Sequence, residues 1–281
     1  MLDLKKQNKT MTKQLRELLV GILLGDAHIR KVGTQKAYFT FEQSAQKVDY
    51  FNHVFNTFKS ENLVKDMPKF YQRSDIRYNG KINSSWHFKS NTVEELRPLA
   101  DLFLDENGGK RVPTNISDLL TPRSLAFWIM DDGQQVKTGG VTLCTDSFKH
   151  EEIEMLRDVL ASKFDLKTTI HLKKGVSNVY ERIYIGKNSV FESFKPSLAD
   201  HMQESMLYKI NMGPKPDTNT PTETLNTPTP SSTGALTPSI ISDEAIEKIV
   251  EESNLPVVGL DSVNELLESI SDINSNIGDL L

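Results

Sequence analysis

The chain has 281 residues, enough for one large domain or two smaller ones with sizeable cores. Its single cysteine, Cys144, excludes an intramolecular disulfide framework and any zinc-ligand spacing, and favours a reducing compartment. The formal net charge of −5 conceals a division: residues 216–281 carry twelve Asp/Glu and one Lys, which leaves 32 Lys/Arg against 26 Asp/Glu in residues 1–215, a net of +6. A mildly basic body with an acidic tail suits a polyanionic partner. No apolar run reaches the length of a membrane span and the N-terminus lacks a signal-peptide core, so a soluble, intracellular protein without a membrane partner is expected.

In chain order, the apolar spacing predicts a helix over the Leu15–Asp26 region, then strands near Ala27–Val32 and Ala37–Gln43, the second rich in aromatic and branched residues. A helix near Val48–Ser60 places Phe51, Val54, Phe55 and Phe58 on one side. Strands near Lys69–Gln72 and Trp86–Lys89 follow, then a helix near Val93–Leu104 that Asn91 or Thr92 would cap. The order then repeats. Thr121-Pro122 supplies an N-cap and an N1 proline for the next helix. Strands are expected at Val136–Lys137 and Val141–Thr145, and a helix near Glu151–Lys163. Strands at Thr168–Leu172 and Val179–Ile185 precede a helix near Ser189–Leu198. The pattern is αββαββα twice, an α+β arrangement of two pseudo-symmetric halves (1–110 and 111–212) with antiparallel sheets. Residues 213–281 open on a Thr/Pro-rich stretch with six prolines between 214 and 238, which predicts a mostly disordered linker and acidic tail. Two short amphipathic segments in that tail, after Ser242 and after Ser262, are too short to be stable helices by themselves.

Two runs stand out: Leu19-Val20-Gly21-Ile22-Leu23-Leu24-Gly25-Asp26-Ala27 and Leu125-Ala126-Phe127-Trp128-Ile129-Met130-Asp131-Asp132-Gly133. Each is an apolar helix ending on an aspartate, where the negative end of the helix dipole disfavours a carboxylate. Gly21 and Gly25, four apart, allow a second helix to approach closely, and the natural partner is the other motif helix, through Ala126 and the 128–130 stretch. Such packing brings Asp26 and Asp132 together, where mutual repulsion calls for a divalent cation. Hard carboxylate oxygens suit Mg²⁺, and paired metal sites support in-line phosphodiester displacement. Asp131 has Gly25 as its counterpart and breaks the symmetry.

These two runs resemble the LAGLIDADG motif, and residues 12–212 are similar to single-chain, two-motif LAGLIDADG homing endonucleases of the intron-encoded kind. Leu120-Thr121-Pro122, Thr145-Asp146-Ser147-Phe148 and Met206-Leu207-Tyr208-Lys209 add to the likeness. The resemblance implies a monomer whose two saddle-shaped sheets lie along the DNA major groove, with a long, non-palindromic target cut on both strands. It implies Asp26 and Asp132 as Mg²⁺ ligands, Lys110 and Lys209 as one active-site lysine per half, and Gln43 at the site's edge. The basic residues interleaved along the strands, Arg30, Lys31, Lys36, Arg77, Lys137, Lys173 and Arg182, together with His28, are the expected DNA contacts. An RNA-binding intron maturase on the same scaffold is the alternative, with intron RNA as partner; a DNA-binding regulator without cleavage is disfavoured by the retention of both aspartates. An organellar gene would place the protein in a mitochondrion or chloroplast.

Overall fold

The computed structural model describes residues 11–75, 81–175 and 178–215. Arg77 and the acidic tail with its two amphipathic segments lie outside the described residues.

The first helix, α1 (Lys13–Leu24), starts where Thr12 accepts the Leu15 N–H at 3.3 Å, and ends at Gly25, whose N–H returns to the Gly21 carbonyl. Its sequence is apolar nearly all round, and Leu18 to Leu24 are all buried. The antiparallel pair β1 (His28–Val32) and β2 (Lys36–Ser44) follows, closed by a turn in which Gly33 takes φ +57°. Strict alternation along β2 sends Ala37, Phe39, Phe41 and Gln43 inward and leaves Lys36, Tyr38, Thr40 and Glu42 on the open face. Helix α2 (Val48–Ser60) covers the inward face with Tyr50, Phe51, Val54, Phe55 and Phe58. Strands β3 (Lys69–Asp75) and β4 (Lys81–Lys89) complete a sheet of order β1-β2-β4-β3, and α3 (Arg97–Phe103) closes the half behind a 3₁₀ turn over Glu94–Leu96.

The second half repeats this order after a four-residue helix, α4 (Ile116–Leu119). Helix α5 (Pro122–Asp132) begins in a reciprocal cap, in which Thr121 and Ser124 satisfy each other's backbone N–H groups, with proline in the first turn as the sequence predicted. Strands β5 (Gly133–Gln135) and β6 (Val141–Leu143) are three residues each, and helix α6 (His150–Phe164) ends at Asp165 in the left-handed conformation. Strands β7 (Thr168–Lys174) and β8 (Val179–Ile185) give a second sheet of order β5-β6-β8-β7, with α7 (Ser189–Ala199) behind it. A 3₁₀ segment, Glu204–Ile210, returns the chain to the end of α5.

Three expectations need correction. The strand after the second motif is Gly133–Gln135, because Val136–Lys137 is already turning toward Gly139 and Gly140, both at positive φ. The helix foreseen over Val93–Leu104 shrinks to Arg97–Phe103, since Val93 is held extended against Ala37 and caps nothing with its side chain. The atoms nearest the α1 glycines belong to Ser124, Phe127 and Asp131, rather than to Ala126 and the 128–130 stretch. One continuous apolar core runs through both halves, from Leu15 to Ile210.

Candidate active site

Helices α1 and α5 pack against each other, most closely at Gly21 and Gly25. A methyl on Gly21 would overlap the Ser124 carbonyl oxygen and Phe127 Cβ, and one on Gly25 would overlap the Asp131 carboxylate. Gly21, inside the helix, costs about 1 kcal/mol of helix propensity, and in exchange the two helices approach closely. Asp26 follows α1 and Asp132 ends α5, and the two carboxylates lie close enough for each charge to be felt by the other. Asp132 is pushed up to about 7, by burial first and then by the charge of Asp26. Among the described residues no hydrogen bond reaches the Asp132 carboxylate.

Each half adds a lysine. Lys110 Nζ donates to the carbonyls of Gly25 and Ala27, just past the end of α1. Lys209 Nζ donates to the carbonyls of Ile129, Met130 and Asp131 in the last turn of α5. Both ammonium groups donate to carbonyls at the negative end of a helix dipole, where a cation is favoured. Burial lowers both: Lys110 moves below the usual lysine range, and Lys209 falls to about 7, with the nearby Lys47 charge adding to the effect. Lys47 ends the 3₁₀ turn Ala45–Lys47 and is a third cation at the site that the sequence reading passed over.

The largest surprise is Asp131. It is 5% exposed, and its Oδ2 accepts the backbone N–H of Asp26 at 2.9 Å. Its Oδ1 accepts from the Tyr50 hydroxyl at 2.7 Å and from Gln43 Nε2 at 3.0 Å. Gln43 Nε2 also donates to Asp26 Oδ2 at 2.5 Å. Burial, and then the Asp26 charge, raise Asp131 well above the carboxylate range, and burial raises Tyr50.

Residues 16–192 match the LAGLIDADG DNA endonuclease family. The chain belongs to that family. It is 28% identical over 214 residues to a probable intron-encoded endonuclease 1 of Wickerhamomyces canadensis, covering 74% of this chain and 88% of the relative. It is 29% identical over 212 residues to a cytochrome b mRNA maturase bI2 of Debaryomyces hansenii, covering 74% and 78% respectively. Among solved structures, the homing endonuclease I-WcaI bound to its DNA recognition sequence superposes with a TM-score of 0.64 at 28% identity, over 74% of this chain and 91% of that one.

In this LAGLIDADG chain the open faces of the two sheets carry most of the basic residues named from sequence. His28 and Arg30 pair with Thr40 and Tyr38 and share their open face; Lys36 begins β2 beside them. His28 also lies against the Asp26 carbonyl through Nδ1 at 3.2 Å. Lys31 has the opposite parity, paired with Ala37, and its ammonium binds Asp101 at 2.8 Å. Lys137 stands exposed in the turn between β5 and β6 rather than on a strand, and Lys173 is exposed on β7. Arg182 on β8 is held by the Asp146 carboxylate at 2.6 and 2.7 Å and by Gln134 at 3.3 Å. The sequence reading missed its equivalent on the first sheet, where Glu42 holds Arg73 at 2.6 Å and Ser85 at 2.7 Å. Only the strand parities, which need both sheet registers, bring these groups to one face.

Proposed function

We propose that this chain is a site-specific homing endonuclease that cuts both strands of a long, non-palindromic DNA duplex as a monomer, with Mg²⁺ held between Asp26 and Asp132. The observation that carries this reading is the convergence of two carboxylates and two lysines, one buried and one half-buried, at the ends of two helices that approach closely through glycines. The donor set fits the metal: two hard carboxylates at one place, one of them raised to about 7 by burial and by the charge of the other. Among the described residues no group of three or more His, Cys, Asp or Glu is arranged to hold a metal. Mg²⁺ fits such a sparse set, since it is commonly bound through one or two carboxylates plus water and substrate phosphates. Bound there, it would place positive charge against the scissile phosphate and favour an ionised water.

The chain's own residues have distinct tasks. Arg30, Lys36, Arg73, Lys173 and Arg182 on the open sheet faces contribute phosphate affinity and base readout in the groove. Lys110 and Lys209 stabilise charge developing on the phosphate, and Lys209, at about 7, is poised to exchange a proton near neutral pH. The unequal halves support a target without twofold symmetry, and the names of the relatives support an organellar intron as the gene's setting. A maturase reading is favoured by one observation, the relative named as a cytochrome b mRNA maturase; splicing of a cognate intron RNA by the purified chain would establish it.

Selection of cleaved duplexes from a random library with Mg²⁺ tests the activity and returns the target. On that target Asp26→Asn and Asp132→Asn abolish cleavage and leave DNA binding largely intact. Full activity in either variant would overturn the assignment.

A further inference from the structure

We propose that Asp131 and Tyr50 are positioning residues that clamp the Gln43 amide onto Asp26, and that this clamp, built into one half alone, makes the two DNA strands react at unequal rates. The inference rests on the endonuclease reading above.

The asymmetry begins with strand register. Extending the β1–β2 pairing from His28↔Thr40 sets Gln43 opposite Gly25; extending the β5–β6 pairing from Gly133↔Leu143 sets Thr145 opposite Asp131. The corresponding position therefore carries a long amide in one half and a short hydroxyl in the other. Because Gly25 has no side chain, the Asp131 carboxylate crosses the helix interface, occupies that space and reaches Gln43 in the opposite half. The Tyr50 hydroxyl, fully buried on α2, donates to the same Asp131 oxygen that accepts from Gln43, and the other oxygen is held by the Asp26 N–H. With both of its oxygens occupied, Asp131 is pinned, and it pins the Gln43 amide with Nε2 toward Asp26 Oδ2. On the other side nothing comparable exists among the described residues. Thr145 donates away from the site, to the Glu181 carbonyl at 2.6 Å, and the Asp132 carboxylate accepts no hydrogen bond there. One proposed metal ligand is oriented by the chain and the other is left to its ligand.

The test uses the full chain and a duplex labelled separately on each strand, comparing first-nick rates. Tyr50→Phe removes a single hydroxyl without changing shape, and should shift the ratio of the two nick rates by about threefold to tenfold, the size of one hydrogen bond. Asp131→Asn and Gln43→Ala should shift it in the same direction, and Tyr50→Phe added to Gln43→Ala should change it no further, since the Tyr50 hydroxyl meets the Asp131 oxygen that holds Gln43. Apparent Mn²⁺ affinity of the DNA complex, followed by electron paramagnetic resonance without cleavage, should weaken several-fold in Tyr50→Phe. Equal slowing of both strands, or a ratio that still moves when Tyr50 is changed in the Gln43→Ala background, would overturn the clamp, as would an unchanged Mn²⁺ isotherm. A wild-type chain that cuts no duplex would instead defeat the endonuclease reading, and the Mn²⁺ isotherm would then decide the clamp by itself.

Discussion

The two halves share a topology and little else. The first sheet is built on nine-residue strands, β2 and β4, over an aromatic core in which Phe39, Phe41, Phe51, Phe55, Phe58 and Phe88 contact one another ring to ring. The second has three-residue strands at β5 and β6; its sheet buries the aliphatic Ile183 and Ile185 against Leu156 and Leu160 of α6, and its buried rings Trp128 and Phe191 come from helices. What is repeated is the placement of apolar positions, period 3.6 along helices and 2 along strands, and that pattern suffices to rebuild the same fold from different side chains. The helix pair at the centre shows the same division of labour: α1 supplies glycines, and α5 supplies the side chains that fill the space over them.

The sharpest way to break this comparison is at the aspartates. If the two act on one shared centre, Asp26→Asn and Asp132→Asn should each lower the rate on both strands by about 10²-fold or more; loss on one strand only would show two independent centres. Next comes packing. Gly21→Ala sets a methyl against a backbone carbonyl that cannot turn aside, and should cost about 1–3 kcal/mol in denaturant unfolding. Gly25→Ala meets a side chain instead, so it should cost less stability, while displacing Asp131 and slowing cleavage. Equal losses would mean that the helices, and not the side chains, give way. The lysines are expected to differ by a smaller margin. Lys209 is 4% exposed and caps the Met130 and Asp131 carbonyls, whereas Lys110 is half-buried over those of Gly25 and Ala27, so Lys209→Met should lose more stability than Lys110→Met, within the roughly 1–3 kcal/mol typical of a buried unsatisfied group. The smallest effects belong to the open faces: Arg73→Ala and Arg182→Ala should each weaken DNA binding, with a salt slope reduced by about 1 where the contact is to a phosphate. Loss of discrimination at one base pair with an unchanged slope would identify a base contact instead.

Most helices and long strands are legible in the sequence because their signals are local. The Thr121-Pro122 start, the alternation of β2 and the spacing of the Phe residues in α2 each act within a few residues. Short strands are less so: β5 has three residues, below the length at which alternation says anything, and the two glycines beyond it set a boundary that apolar spacing does not show. Composition groups Lys31 with Arg30, yet adjacent strand residues point to opposite faces, and Lys31 binds Asp101. Tyr50 escapes notice because in a helix full of phenylalanine it reads as one more core ring; its hydroxyl matters only because Asp131, from the other half, lies against it.

By itself the sequence determined the repeat, the pair of carboxylates and the glycines that let two helices meet, since these follow from residue type and spacing along one stretch of chain. That the Asp131 carboxylate lies against the Asp26 N–H, that it reaches Gln43 across the interface, and which lysines face outward were settled by the tertiary structure alone. Those facts depend on which side chain fills the space that Gly25 leaves empty and on the register of strands distant in sequence, and neither quantity is carried by any local window of residues.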